Sequence, residues 1–295
     1  MSRAPPAESG LGPLMIYGTA WKENKTEELT ESAMEHGFSG VDTANYPTAY
    51  NEPLAGKAIA AALRRGLKRE HLFIQSKFTP VWAHDKDRIP FNPDQDIEGQ
   101  VRESIAQTLK HLEVGYVDAL LLHVPFEKDD DNITAWKVFE TFVPERIRYL
   151  GVSNIHLPQL QSIYAAATVK PVIVQNRFYK ETSFDLDVRT FCADHCITYQ
   201  AFWMLAHNPK VLESAVVSSV ADKLQVEKGL AFYVLILCLG NTQVLNGTTK
   251  TERMAKDTET IKLVFEDAVL LKELEPSVAD FKKLLWELAS KNNQR

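Results

Sequence analysis

Short apolar runs alternate with longer amphipathic stretches along most of this chain. The runs are Leu14–Tyr17, Gly40–Asp42, Leu72–Ser76, Val117–Leu122, Ile147–Gly151, Val172–Val174, Ile197–Gln200 and Gln243–Leu245, each of strand length. Between them, apolar residues recur at helical spacing over Thr26–His36, Asn51–Arg65, Ile97–Leu112, Ile133–Val143, Leu157–Ala166, Leu186–His195, Leu212–Lys223 and Gly229–Leu239. A polar helix starts near Thr251, and a last amphipathic one covers Val278–Ala289. Thr26 and Asn154 read as N-caps, Gly37 and Gly66 as stops. Strand and helix thus alternate eight times, which calls for a parallel sheet with helices outside it. Eight units in 295 residues fit an α/β fold of the closed (β/α)8 barrel type, a single domain over 14–290 behind a flexible leader, 1–13. An open nucleotide-binding sheet would carry a Gly-rich turn after its first strand, and Gly18-Thr19-Ala20 is not one.

A barrel of this kind places its chemistry at the C-terminal ends of the strands. Those ends carry Gly18-Thr19, Asp42, Lys77, His123, Ser153-Asn154, Gln175-Asn176, Phe202 and Gly247-Thr248. Taken singly, an aspartate there is a turn residue, a lysine is solvated and a histidine is a satisfied core group. Asp42, Lys77 and His123, however, end three successive strands, and two phenols, Tyr46 and Tyr50, follow Asp42 in its loop. Their chemistry is mutually consistent. A lysine held by an aspartate stays charged, and an ammonium beside a phenol lowers its pKa from about 10. Such a phenol can protonate a carbonyl oxygen, while a neutral imidazole orients the same oxygen. A site built to polarise a carbonyl needs its hydride from a bound cofactor. The long segment from Phe78 to Asp96, with Pro80, Pro90 and Pro93, is of the functional-loop type.

Composition narrows the function further. A net charge of −6 excludes a general nucleic-acid binder. No metal-ligand spacing and no nucleophile elbow occur in the sequence. The three cysteines are odd in number, and Cys192 and Cys196 fall on one helix face as a buried apolar pair. The N-terminus lacks a signal-peptide core, and no apolar run has membrane-spanning length. The expectation is a soluble, cytoplasmic protein in a reducing compartment.

Several stretches together resemble the aldo-keto reductase family: Gly-Val-Asp-Thr-Ala at 40–44 with Asn-Glu at 51–52, Phe-Ile-Gln-Ser-Lys at 73–77, and Val-Asp-Ala-Leu-Leu-Leu-His at 117–123. Tyr-Leu-Gly-Val-Ser-Asn at 149–154 and Val-Ile-Val-Gln-Asn at 172–176 extend the likeness, which runs from about Pro13 to Asp257. The resemblance implies NADPH-dependent reduction of an aldehyde or ketone by an Asp, Tyr, Lys, His tetrad, here Asp42, a tyrosine, Lys77 and His123. The family's tyrosine usually lies five residues after the aspartate. Here Tyr46 lies four after and Tyr50 eight after, directly before Asn51-Glu52, so the link is lengthened and Tyr50 is preferred. The resemblance assigns Ser153, Asn154, Gln175 and Phe202 to the nicotinamide and Thr248 and Arg253 to the adenosine phosphate, with Gly18 and Thr19 as further cofactor-binding residues. Gly247 stands where many members have lysine, with Lys250 nearby, so NADH stays open beside NADPH. Ala-Phe-Trp-Met-Leu at 201–205 lacks the family's usual Ser-Pro and implies an altered substrate wall. Trp21, Trp82 and Trp203, with Phe91 and Phe126, are the candidate pocket aromatics for a small-molecule carbonyl substrate, in what the family implies is a monomer. The other reading is a barrel that binds NADP(H) and regulates a partner.

Overall fold

Strands and helices alternate through residues 11–290, the part of the chain that the computed structural model describes. The strands are β1 Met15–Gly18, β2 Gly40–Asp42, β3 Phe73–Phe78, β4 Val117–Leu122, β5 Ile147–Ser153, β6 Ile173–Arg177, β7 Thr198–Phe202 and β8 Thr242–Asn246. All pair in parallel with their sequence neighbours, and β8 pairs with β1 to close a barrel. Most of the leader expected over 1–13 lies outside the described residues. Pro13 is fixed to the barrel, because its carbonyl accepts from Gln243 Nε2 at 2.9 Å.

Outside the strands run α1 Thr26–Glu35, α2 Glu52–Arg64, α3 Ile97–His111, α4 Asp129–Glu140, α5 Leu157–Ala166 and α6 Leu186–Asp194. After β7 come two single turns, α7 Met204–His207 and α8 Pro209–Leu212, then α9 Ala215–Leu224 and α10 Lys228–Leu237. α11 Thr251–Glu266 and α12 Ala268–Ser290 complete the set. The apolar run at Leu230–Leu237 is buried on every side, as a core helix should be. α12 starts ten residues before the helix read from the pattern, and it carries Pro276 inside.

The caps differ from those expected. Thr26 lies within the first turn of α1, its hydroxyl donating back to Glu23 O of a short 3-10 turn. Asn154 caps no helix; α5 begins after His156. Asn51 Oδ1 does cap α2, accepting from Leu54 N at 3.2 Å, and Asp96 Oδ1 caps α3 at 2.8 Å. Cys192 is buried, but Cys196 lies past the end of α6 with a left-handed backbone and is exposed. Among the described residues no helix is long and apolar enough to cross a membrane.

The outer core fills the space between sheet and helices. Inside the barrel, Ile16, Phe73, Ala119, Leu121 and Ile173 form a small apolar cluster. Beside it the interior is polar. Gln75, Gln175 and Gln243, from β3, β6 and β8, all bond to Gln200 of β7: its oxygen accepts from Gln75 and Gln175, and its NH2 donates to Gln75 and Gln243. Gln75 and Gln175 also reach Asp42. Buried amides are tolerated because nearly every donor and acceptor among them is matched.

Candidate active site

Asp42, Lys77, His123 and Gln175 arrive at one place because each lies on or just past the C-terminal half of its strand, toward the same rim of the barrel. Lys77 is fully buried and donates to Asp42 Oδ2 at 2.7 Å and to Thr43 O at 2.9 Å. Asp42 Oδ1 accepts from Gln75 Nε2 at 2.6 Å and Gln175 Nε2 at 3.0 Å. Burial pulls the Lys77 ammonium down, but the Asp42 carboxylate, aided by Tyr50, outweighs it and holds Lys77 above the ordinary lysine value. Lys77 therefore stays charged in a dry site.

The lengthened loop after β2 is resolved by one helical turn. Ala49 N and Tyr50 N both donate to Tyr46 O, at 3.1 and 3.0 Å, which carries Tyr50 back over Lys77. The next two residues fix it there. Asn51 caps α2, and the buried Glu52 accepts from Ser76, Thr108 and His111 of β3 and α3. As a result Lys77 Nζ lies 3.4 Å from Tyr50 Oη and 4.8 Å from its ring centre. Tyr46 makes no such contact, although both phenol rings meet His123 edge-on, at 5.5 Å for Tyr46 and 5.8 Å for Tyr50. Burial raises the Tyr50 pKa above its ordinary 10, with Lys77 pulling the other way. The expected net lowering of this phenol is thus reversed, because desolvation outweighs the ammonium. His123 is held well below 6.5 by burial first, then by Lys77, His84 and Arg177, and its imidazole is neutral. Its Nδ1 is 2.7 Å from Thr79 Oγ1, and no described side chain bonds to its Nε2.

These groups open on a cavity of about 720 Å³. Gly18, Asn154, Gln175, Phe202, Thr248 and Arg253 line it together with Asp42, Tyr50 and His123, while the fully buried Lys77 stands behind them. Thr19 and Ser153 sit one layer behind the wall. Thr19 is fully buried with its hydroxyl on Asp42 O, and Ser153 donates to Gln175 O. Trp21 and Trp203 are on the rim, but Trp82 is carried outward by a 3-10 turn and is 62% exposed. Phe91 stacks on Phe78 at 5.7 Å, and Phe126 packs against the same ring, so both belong to the support of the loop. A larger groove of about 980 Å³, between α6 and the end of α12, carries Asp185, Asp187 and Asp194 but none of the reactive set.

Two amides define what the inner end of the cavity can hold. Gln175 Nε2 gives its protons to Asp42 and Gln200, at 3.0 and 2.9 Å. Asn154 Nδ2 gives its protons to His123 O and Ser153 Oγ, at 2.9 and 3.0 Å. Because Asp42 and His123 O only accept here, both amide orientations are fixed by their partners. The Asn154 oxygen is left buried without a partner, and Gln175, its NH2 already used, lines the cavity with its oxygen as the remaining polar atom. Two such acceptors suit a ligand with an NH2 group, the donor that a nicotinamide carboxamide presents, and Phe202 supplies a ring beside them.

The far end, at the start of α11, is cationic. Lys22 Nζ donates to Gly247 O, so a lysine from the β1–α1 loop occupies the side of Gly247 where a Cβ would lie 3.6 Å from it. Burial lowers the Lys22 pKa. Arg253 pairs with Glu227 at 2.9 Å on the surface, a contact weak enough to be exchanged for a phosphate. Pattern reading missed Lys22, the interior glutamines 75, 200 and 243, and Arg177, which also lines the cavity.

Barrel, strand-end set and amide pair point to one class of protein, and residues 10–214 match the Aldo/keto reductase family. The chain belongs to that family and is an NAD(P)H-dependent oxidoreductase. It is 28% identical over 265 residues to an uncharacterized oxidoreductase of Schizosaccharomyces pombe, covering 88% of this chain and 84% of that protein. It is 30% identical over 208 residues to the methylglyoxal reductase of Escherichia coli, covering 69% and 68%. Among solved structures, an aldo/keto reductase from Brucella melitensis superposes with a TM-score of 0.69 at 25% identity, over 84% of this chain and 88% of that one. The aldose reductase of Schistosoma japonicum shares the fold with a TM-score of 0.72 at 21% identity, over 93% and 92%.

Proposed function

We propose that this protein reduces an aldehyde or ketone to an alcohol with NADPH, using Tyr50 as the general acid. The observation that carries this reading is the Asp42–Lys77–Tyr50 chain, 2.7 and 3.4 Å between polar atoms, ending beside His123 in the same cavity. A bound reduced nicotinamide supplies the hydride to the carbonyl carbon. Asn154 and Gln175 would hold its carboxamide and Phe202 would supply a ring beside it, all three lining the same cavity. Tyr50 keeps its proton at neutral pH, because burial holds its pKa up, and gives that proton to the carbonyl oxygen as charge gathers there. The Lys77 ammonium then stabilises the phenolate that remains. With Thr79 Oγ1, 2.7 Å from His123 Nδ1, acting as the donor, the ring proton sits on Nε2 and orients the same oxygen. Lys22, Thr248 and Arg253 receive the adenosine phosphate, which favours NADPH over NADH.

The test compares NADPH consumption with a simple aldehyde by the wild type, Tyr46→Phe and Tyr50→Phe. Loss of the acid lowers kcat by about 10²–10⁴-fold, whereas Tyr46→Phe changes it by less than about tenfold. The reverse ranking would overturn the assignment of Tyr50.

A further inference from the structure

The reduction described above leaves Arg177 without a task. On β6, side chains alternate between the two faces of the sheet, so Gln175 and Arg177 point into the barrel and Asn176 points out. Asn176 accordingly bonds the backbone of Ile155 on the outer side. Arg177 lies at the mouth, one step above Gln175, and lines the same cavity as Tyr50 and His123. Its guanidinium sits 4.5 Å from the Trp203 ring and 5.7 Å from the Phe202 ring.

What distinguishes Arg177 is what it lacks. Among the described residues no carboxylate pairs with it, no acceptor takes a hydrogen bond from its side chain, and its Nε is buried without a partner. The neighbouring carboxylates are engaged elsewhere. Asp42 holds Lys77, and Asp257 accepts from Asn246 at 2.7 Å. Stacking on tryptophan uses the face of a guanidinium and leaves its in-plane N–H donors free. A planar fork of donors, half-desolvated and aimed into a substrate cavity, matches a carboxylate. The phosphate end of the cavity, at Lys22 and Gly247, is built from β1 and β8, whereas Arg177 belongs to the β6–β7 side with Trp203.

We propose that Arg177 receives an anionic group of the substrate, so that the site selects carbonyl compounds carrying a carboxylate. This rests on the reductase reading for its reaction and on Arg177 alone for its selectivity. Trp203, in the loop that departs from the family pattern, backs the guanidinium and holds it over the cavity.

The experiment measures kcat/KM for para-carboxybenzaldehyde and para-methylbenzaldehyde with wild type, Arg177→Met and Arg177→Lys. A charge-assisted pair gives the wild type a preference of about tenfold or more for the acid, which falls by about tenfold or more in Arg177→Met and is partly restored in Arg177→Lys. Equal rates on the two aldehydes in the wild type, or equal losses on both in Arg177→Met, overturn the proposal. A second arm reads tryptophan fluorescence as para-(hydroxymethyl)benzoate or para-methylbenzyl alcohol is titrated in with NADP⁺. Tighter binding of the acid that disappears in Arg177→Met supports the assignment even if no aldehyde is turned over, in which case the reductase reading alone falls. Equal binding of acid and alcohol overturns it at any rate of turnover.

Discussion

Replacing Asp42 by asparagine tests the centre of the site at nearly constant shape. The wild-type pair is dry, with Lys77 0% and Asp42 1% exposed, and joined at 2.7 Å. Asparagine removes the negative charge. It also turns one acceptor into a donor. If its oxygen faces Gln75 and Gln175, its NH2 faces the ammonium. Breaking a buried ion pair from one side costs about 3–5 kcal/mol, because a charge is left uncompensated. In a barrel of this size about 2 °C accompanies each kcal/mol, so Asp42→Asn should melt about 6–10 °C lower. Lys77→Met should also destabilise, leaving the carboxylate with two amides alone. The double variant Asp42→Asn/Lys77→Met removes both charges and should recover much of the loss. Circular dichroism melts of all four proteins close the cycle. A melting shift under about 1 °C in Asp42→Asn, or a double variant that loses the full sum, would falsify the claim that this pair is a coupled unit.

Three further outcomes follow from the same geometry. His123 stays neutral in the fold while an unfolded histidine binds a proton near 6.5, so its contribution is complete above that pH and lost as pH falls toward the folded value. Urea unfolding should show wild type losing about 1 kcal/mol between about pH 6.5 and 5.5 that His123→Gln does not lose. Lys22→Met should raise the KM for NADPH by about tenfold or more and leave that for NADH nearly unchanged, as read in cofactor titrations at saturating aldehyde. Gln75→Leu should cost about 1–3 kcal/mol in unfolding experiments, because it strips a donor from Asp42 and leaves one Nε2 proton of the buried Gln200 without its acceptor.

Much of the fold was legible because its signal is periodic. Eight short apolar runs separated by helical patterns leave few architectures, and the strand tips then point to Asp42, Lys77 and His123. Boundaries failed where tertiary packing decides. α12 runs through Pro276, which the pattern treats as a barrier, and Cys196 falls beyond its helix. The interior glutamines were invisible for another reason. A lone glutamine in an apolar strand looks like an outward position until closure of the barrel turns its face inward. Arg177 could have been found, since it stands two residues beyond Gln175 and so shares its face. Lys22 could not, because its contact to Gly247 joins residues 225 apart in the chain. The pKa of Tyr50 also needed the fold. Local chemistry gives the pull of Lys77, but only burial supplies the larger opposing effect.

The glutamine cluster has a temporal meaning. Asp42 and Lys77 leave the ribosome early, whereas Gln200 and Gln243 emerge last, and β8 must be made before Gln243 can reach back to Pro13. A chain still under synthesis therefore carries its acid, its ammonium and its phenol without the frame that fixes them. The seam between the first and last strands closes last in the order of synthesis, and a product cut off before β8 lacks both Gln243 and the strand that shuts the barrel.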